Sequence, residues 1–100
     1  MIYRGTTPTI KFKMPFKLDN LSLCYVSLSQ NKKLLIDKDI SDCTVDDTTI
    51  SVTLSQAETL SLRSGRDVEV QIRWKLVDDK AFASEAFVDT VEAILKDGEI

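Results

Sequence analysis

The strongest constraint in this chain is an alternation. Val68, Val70, Ile72, Trp74 and Leu76 are apolar, and Glu69, Gln71, Arg73 and Lys75 between them are polar. Successive side chains on a β-strand point to opposite faces, so a period of two specifies a strand with one buried and one wet face. The pattern recurs. Ile10, Phe12 and Met14 alternate with Lys11 and Lys13, and Thr49–Leu54 repeats it with β-branched residues. Leu21–Gln30 reads as a more apolar strand, with Cys24, Val26 and Leu28 on one face and Leu23 and Tyr25 on the other. Lys33–Asp39 reads as its partner across a Gln30-Asn31-Lys32 turn, and Ala81–Val91 as a last strand after Asp78-Asp79-Lys80.

Turn chemistry divides these runs. Pro15 closes the first strand and Asp19-Asn20 opens the next. Asp46-Asp47 separates Cys43-Thr44-Val45 from Thr49–Leu54, as a short hairpin requires. Ser55-Gln56-Ala57-Glu58 is a capping box, which predicts one or two helical turns ended by Ser64-Gly65. Val91, Ile94 and Leu95 before Gly98 fit either a terminal helical turn or a continued strand. The total is about seven short strands, with one small helix between the fifth and sixth and no βαβ alternation. The expected fold class is all-β: an immunoglobulin-like antiparallel β-sandwich of about seven strands with one short helix between late strands. The 100 residues opening on Met1 read as a complete small protein of one domain, 1–100, able to enclose one core without staples.

Histidine is absent. That removes the usual general base, the commonest metal ligand and the neutral-pH switch. No glycine-rich phosphate loop is present. The carboxylate pairs Asp46-Asp47 and Asp78-Asp79 fall in turns, where they favour turn geometry rather than face each other across a cleft. Asp37-x-Asp39-x-x-Asp42 is the one metal-like cluster. Calcium favours such hard oxygens, but the Gly and closing Glu of an EF-hand loop are missing, so a solvated loop is expected. No catalytic residue, cofactor site or metal site is assigned, and the chain is expected not to be an enzyme. Cys24 reads as a small core residue, and a bridge to Cys43 stays open as an alternative to two free thiols. Trp74 reads as the core tryptophan of the sandwich, with a sugar-stacking platform as the sharper alternative. Tyr3 and Phe16 flank the first strand as candidate exposed contacts.

The net charge is −3, which does not suit a general nucleic-acid binder. Its distribution is uneven. Residues 1–38 carry seven basic and two acidic groups, a balance of +5, and residues 39–100 carry six and fourteen, a balance of −8. Separate surfaces would give a dipole suited to head-to-tail contact between copies, whereas interleaved strands would cancel it. No apolar run reaches the roughly 18–20 residues that span a bilayer, and no apolar block of a secretory signal opens the chain. Synthesis in the cytoplasm, with no membrane partner, is the expectation.

Arg4-Gly5-Thr6-Thr7-Pro8-Thr9, followed by an alternating strand and Met14-Pro15-Phe16, resembles the start of small structural proteins of phages and prophages of Gram-positive bacteria. Val26–Asn31 resembles that family's second strand and Gln-Asn turn, and Asp42-Cys43-Thr44 its approach to the short hairpin. Val52–Leu60 resembles its strand-then-helix step. Val70–Arg73 with Ala83-Ser84-Glu85 resembles its final hairpin, and Leu95–Gly98 its ending. The chain is also similar to the N-terminal module of phage baseplate upper proteins. The resemblance implies a tail- or baseplate-associated virion protein, bacterial and cytoplasmic when made, acting through assembly with other virion proteins or itself. It brings no catalytic residues, cofactor, nucleic acid or membrane. Gly5 and Pro8 suit either a turn at the strand entrance or an extended arm that docks on a neighbour. Tyr3, Arg4, Thr6, Thr7 and Phe16 are therefore the candidate partner contacts. A carbohydrate- or ligand-binding module of a host-recognition device is the alternative function.

Overall fold

A computed structural model describes the whole chain, Met1–Ile100. Its strands are β1 (Ile2–Tyr3), β2 (Thr9–Lys13), β3 (Leu21–Gln30), β4 (Lys33–Asp39), β5 (Cys43–Val45), β6 (Thr49–Thr53), β7 (Asp67–Leu76), β8 (Ala81–Ala83) and β9 (Phe87–Glu92). One α-helix, α1 (Gln56–Leu60), lies between β6 and β7, and a 3-10 turn, Ile40–Asp42, joins β4 to β5. The larger sheet has the order β1-β9-β7-β3-β4, with β8 also paired to β7. The smaller sheet has the order β2-β6-β5.

The period-two rows become the core. Val68, Val70 and Ile72 of β7 and Cys24, Val26 and Leu28 of β3 are fully or almost fully buried. Register pairs Cys24 with Trp74, Val26 with Ile72 and Leu28 with Val70, so both rows share one face. Ile50 and Val52 of β6 join the same apolar cluster from the smaller sheet, and Ile36, Leu54, Leu62 and Val91 close its sides. The all-β class is as the alternation predicts.

The details differ from the expectation in three ways. There are nine strands rather than about seven, because β1 is only two residues long and the expected last strand is divided into β8 and β9. Lys75 pairs with Ala81 and Arg73 with Ala83, but Val70 pairs with Phe87, so the register shifts by one residue at Ser84–Ala86. Ser84 holds this bulge: its N–H donates to the Ile72 carbonyl at 2.9 Å, and its hydroxyl accepts from the Ile72 N–H at 3.2 Å. The architecture is also not purely antiparallel, since β1 runs parallel to β9, with Ile2 opposite Val91. Lastly, strand pairing ends at Glu92 and the tail forms neither a helical turn nor a further strand; Leu95 projects into solvent.

The N-terminal segment and α1 lock together. Ser55 accepts from the Glu58 N–H at 3.1 Å, and the Glu58 carboxylate accepts from the Ser55 N–H at 2.8 Å, which completes the capping box. Arg4 serves the other end. Its guanidinium donates to the Leu60 carbonyl at 3.0 Å and the Leu62 carbonyl at 2.9 Å, and it pairs with Asp97 at 2.5 Å. These are carbonyls a helix end leaves without partners. Thr59, fully buried, donates its hydroxyl to the Thr6 carbonyl at 2.9 Å. Glu58 also pairs with Lys38 of β4 at 2.7 Å, which ties the helix to the larger sheet.

Backbone geometry at Gly5 and the Glu58 pairing each have a stability readout. Gly5 has φ +76°, and an added Cβ would sit 3.0 Å from Ile94 Cδ1 and 3.4 Å from the Gly98 carbonyl. Gly65 has the same φ with open space around it. Gly5→Ala is expected to cost about 2 kcal/mol in urea unfolding and Gly65→Ala about 1 kcal/mol, the difference being crowding; equal losses would show that crowding adds nothing. Burial pushes the Glu58 carboxyl up, but Lys38 and the Ser55 N–H outweigh it and hold it below its ordinary value. A lowered carboxylate contributes stability above its unfolded value, and that stability is lost as pH falls through the folded one. The urea midpoint of the native chain should therefore fall as pH drops below about 4.5, and Glu58→Gln should flatten that fall. An unchanged acid limb in the variant would count against the Glu58 pairing.

Candidate functional site

Past Ile72 the inner row of β7 continues with Trp74 and Leu76, which are half-buried rather than enclosed. Phe82 lies directly opposite Trp74 across the β7–β8 ladder. Their rings stack, with centroids 5.6 Å apart and planes 19° apart. β2 of the smaller sheet stops at Lys13, and Pro15 turns the chain away. Two buried anchors, Met14 and Leu18, brace the turn at both ends, because their N–H groups donate to the carbonyls of Thr48 at 2.7 Å and Asp47 at 2.9 Å. Phe16 is the crest of this bracket and leans to within 6.2 Å of Trp74.

Phe16, Trp74, Leu76 and Phe82 line an open cleft of about 320 Å3 with no charged or polar side chain in its walls. Phe16 and Phe82 are exposed. Trp74 Nε1 is buried and has no hydrogen-bond partner. An orphaned donor of this kind costs about 1–3 kcal/mol, so ring stacking rather than a polar anchor holds the indole. Lys75 and Asp79 pair at 3.6 Å on the β7–β8 hairpin.

Of the residues singled out as contacts, Phe16 alone belongs to this cleft. Tyr3 is exposed on β1. Arg4 is engaged by α1 and Asp97. Thr6 donates its hydroxyl to the Tyr3 carbonyl at 2.6 Å, and Thr7 is exposed. The segment is a folded turn, since the Arg4 N–H donates to the Glu92 carbonyl at 3.0 Å and the Pro8 carbonyl accepts from Leu54 at 2.9 Å. The length of β2 separates it from Phe16, about 16 Å at strand rise. The Trp74 expectation is corrected in one respect: it stands on the core face but is not enclosed, because no strand of the smaller sheet extends past Lys13 to cover it. Leu76 is read from the sequence only as a member of the apolar row of β7, and Phe82 is not among the expected contacts. The Asp78-Asp79 turn was legible, but the register that sets Phe82 against Trp74 was not.

The acidic cluster serves the backbone. Asp39 accepts from the Ser41 N–H at 2.9 Å, and Asp42 accepts from the Asp39 N–H at 3.2 Å, so the two cap the 3-10 turn. The Ser41 hydroxyl and N–H hold the Asp39 carboxyl below its ordinary value. Asp37 accepts from the Ser27 hydroxyl at 3.0 Å. Cys24 and Cys43 are both free thiols and lie against each other between the two sheets. Burial, with the Cys43 neighbour adding to it, pushes the Cys24 thiol up to about 12. Burial likewise raises Cys43, which is less enclosed. No helix is long and apolar enough to cross a membrane.

No protein-family model, curated protein or solved structure matches this chain.

The thiol arrangement has a direct readout. At pH 8 a colorimetric thiol reagent is expected to label Cys43 slowly and Cys24 only upon unfolding, because the thiolate is the reactive species. Rapid labelling of Cys24 in the folded protein would contradict its enclosure.

Proposed function

We propose that this protein is a non-enzymatic assembly module that grips an apolar anchor of another protein chain in the Phe16–Trp74–Phe82 cleft. The observation that carries the reading is the cleft itself, carbon-lined, open and built from three aromatic rings. Buried aromatic anchors seated in such pockets dominate many protein interfaces. The absence of histidine and the employment of Asp39, Asp42 and Glu58 as caps favour binding over catalysis.

The resemblance of the Arg4–Thr9 segment and the later motifs supports a setting in a phage or prophage virion, in the tail or baseplate region. Partners are then other virion proteins, without nucleic acid or membrane, and the chain is made in the bacterial cytoplasm and carried in the particle. An immunoglobulin-like sandwich belongs to the same proposal. The division into four strands, β9-β7-β3-β4, and three, β2-β6-β5, supports its two layers, while the pairing of β3 with both β4 and β7 in one sheet departs from the immunoglobulin strand order. Those seven correspond to the strands the alternation predicts, the last of them being divided into β8 and β9, and β1 is a short addition.

A carbohydrate-binding alternative draws on the partial exposure of Trp74. Sugars need polar groups beside a stacking ring, and the walls of this cleft supply none.

Trp74 is the only tryptophan, so its emission reports the cleft directly. Purified particles are expected to contain this chain, and the virion protein cross-linked to it should shift Trp74 emission on titration. Phe16→Ala and Phe82→Ala should each weaken that binding about 30-fold, a loss of roughly 2 kcal/mol, with the thermal midpoint of Phe16→Ala little changed. Absence of the chain from particles would remove the virion setting. An emission shift with cell-wall polysaccharide, lost in the same variants, would replace the protein anchor with a sugar.

A further inference from the structure

A second cleft, of about 330 Å3, is framed by Lys33, Arg63 and Arg66. Gln30, at its floor, ends β3, and Arg66 immediately precedes β7. Trp74 and Leu76 stand at the other end of β7, so the length of that strand separates the two clefts.

The charge in this cleft is uncompensated. Its lining is polar apart from Leu35 and contains no carboxylate. Lys33, Arg63 and Arg66 take part in none of the ion pairs of the chain, which use Arg4, Lys38, Lys75 and the N-terminus. Glu58, near the start of the same loop, is already paired with Lys38 at 2.7 Å. Asp67 follows Arg66 in the chain but pairs with neither arginine, and it lines a separate depression with Thr90 and Glu92. Three unpaired cations around one hollow repel one another, and a bound anion would relieve that.

The loop that carries the arginines is held in place. Gln30 is buried, with 4% exposure, and its amide is fully used. Its Nε2 donates to the carbonyls of Arg63 at 2.9 Å and Arg66 at 3.4 Å, and its Oε1 accepts from the Arg63 N–H at 2.7 Å. The Gly65 N–H donates to the Val91 carbonyl at 3.0 Å. Carbonyls along the loop, which would repel an anion, are thus already supplied with donors: Arg63 and Arg66 by Gln30, and Leu60 and Leu62 by Arg4. Asn31 and Lys32, at φ 52° and 64°, make the tight hairpin that brings Lys33 to the facing wall. A pinned loop loses little freedom when a ligand arrives.

We propose that the Lys33–Arg63–Arg66 cleft binds a phosphate group. A single carboxylate would leave two of the three positive charges unanswered, whereas a phosphate monoester carries close to two negative charges near neutral pH. Its oxygens also point in several directions, which lets two guanidinium forks and an ammonium engage it together. The cleft is several times larger than the ion, and Asn31 and Leu35 line the remaining space, so a small organic phosphate fits as well as free phosphate. The site does not depend on what the aromatic cleft grips.

Amide resonances of the intact chain, followed during titration with inorganic phosphate at constant ionic strength, test it. Saturable shifts are expected at Asn31, Lys33, Arg63 and Arg66, with acetate and chloride giving none of comparable size. Arg63→Gln and Arg66→Gln should each weaken binding about tenfold, the loss expected for one charge-assisted contact. Both side chains are exposed, and circular dichroism with Trp74 emission establishes that the variants are folded. Phe16→Ala should bind phosphate as the native chain does. Ribose 5-phosphate distinguishes the sources: tighter binding than inorganic phosphate identifies an organic phosphate as the occupant, and equal binding identifies the free ion. The proposal is overturned if phosphate gives no saturable shift, if acetate matches it, or if both arginine variants bind unchanged. Shifts spread equally over Lys11, Lys13 and Lys17 would overturn it too, since they would show diffuse ion association instead of a site.

Discussion

The antiparallel pairing of β3 with β7 is the constraint that organises the molecule. Register running from Leu21 opposite Leu76 to Ser29 opposite Glu69 sets two apolar rows on one face. Those rows need cover, and the smaller sheet supplies it with Ile50 and Val52. Flanking strands then shield the ladder on both sides, β4 beside β3 and β9 with β8 beside β7. The same pairing fixes the long axis and therefore decides which turns gather at each end.

A mismatch between the two sheets creates the cleft. The β7 row is apolar as far as Leu76, whereas β2 ends at Lys13. The surplus of inner face is covered only by Phe16 and flanked by Phe82, so three rings meet at the surface without enclosing one another. Most carboxylates that look chemically suggestive in the sequence instead satisfy backbone donors. Asp39, Asp42 and Glu58 cap turns and a helix, and Asp46 and Asp78 accept from N–H groups in their own turns. Arg4 is likewise used inside the chain, where it supplies the donors that the end of α1 lacks.

Features that depend on neighbours in sequence could be read ahead of the structure. Alternation at Val68–Leu76 specifies a strand, and Ser55 with Glu58 specifies a helix start, because period and capping act over a few residues. The two-residue β1 carries no such pattern; it exists because Ile2 finds Val91 at the other end of the chain. The division of the last strand was hidden for a related reason, since Ser84 becomes a bulge only when Ile72 stands opposite. Phe16 was legible as a contact candidate from its place after Pro15, yet its companions Phe82 and Leu76 depend on register.

The sequence by itself determined the all-β class, the single capped helix, the absence of histidine chemistry and the uneven distribution of charge along the chain. Each is a property of composition or of local spacing. Only the tertiary structure decided which charges share a surface and which aromatic rings meet. Lys33 joins Arg63 and Arg66 through Gln30, and Asp47 joins Asp78 through the start of β3, across separations that no local period encodes. The reason is physical: strand pairing carries side chains about 5 Å across each ladder while the connecting chain travels tens of residues, so proximity is set by register and not by sequence distance.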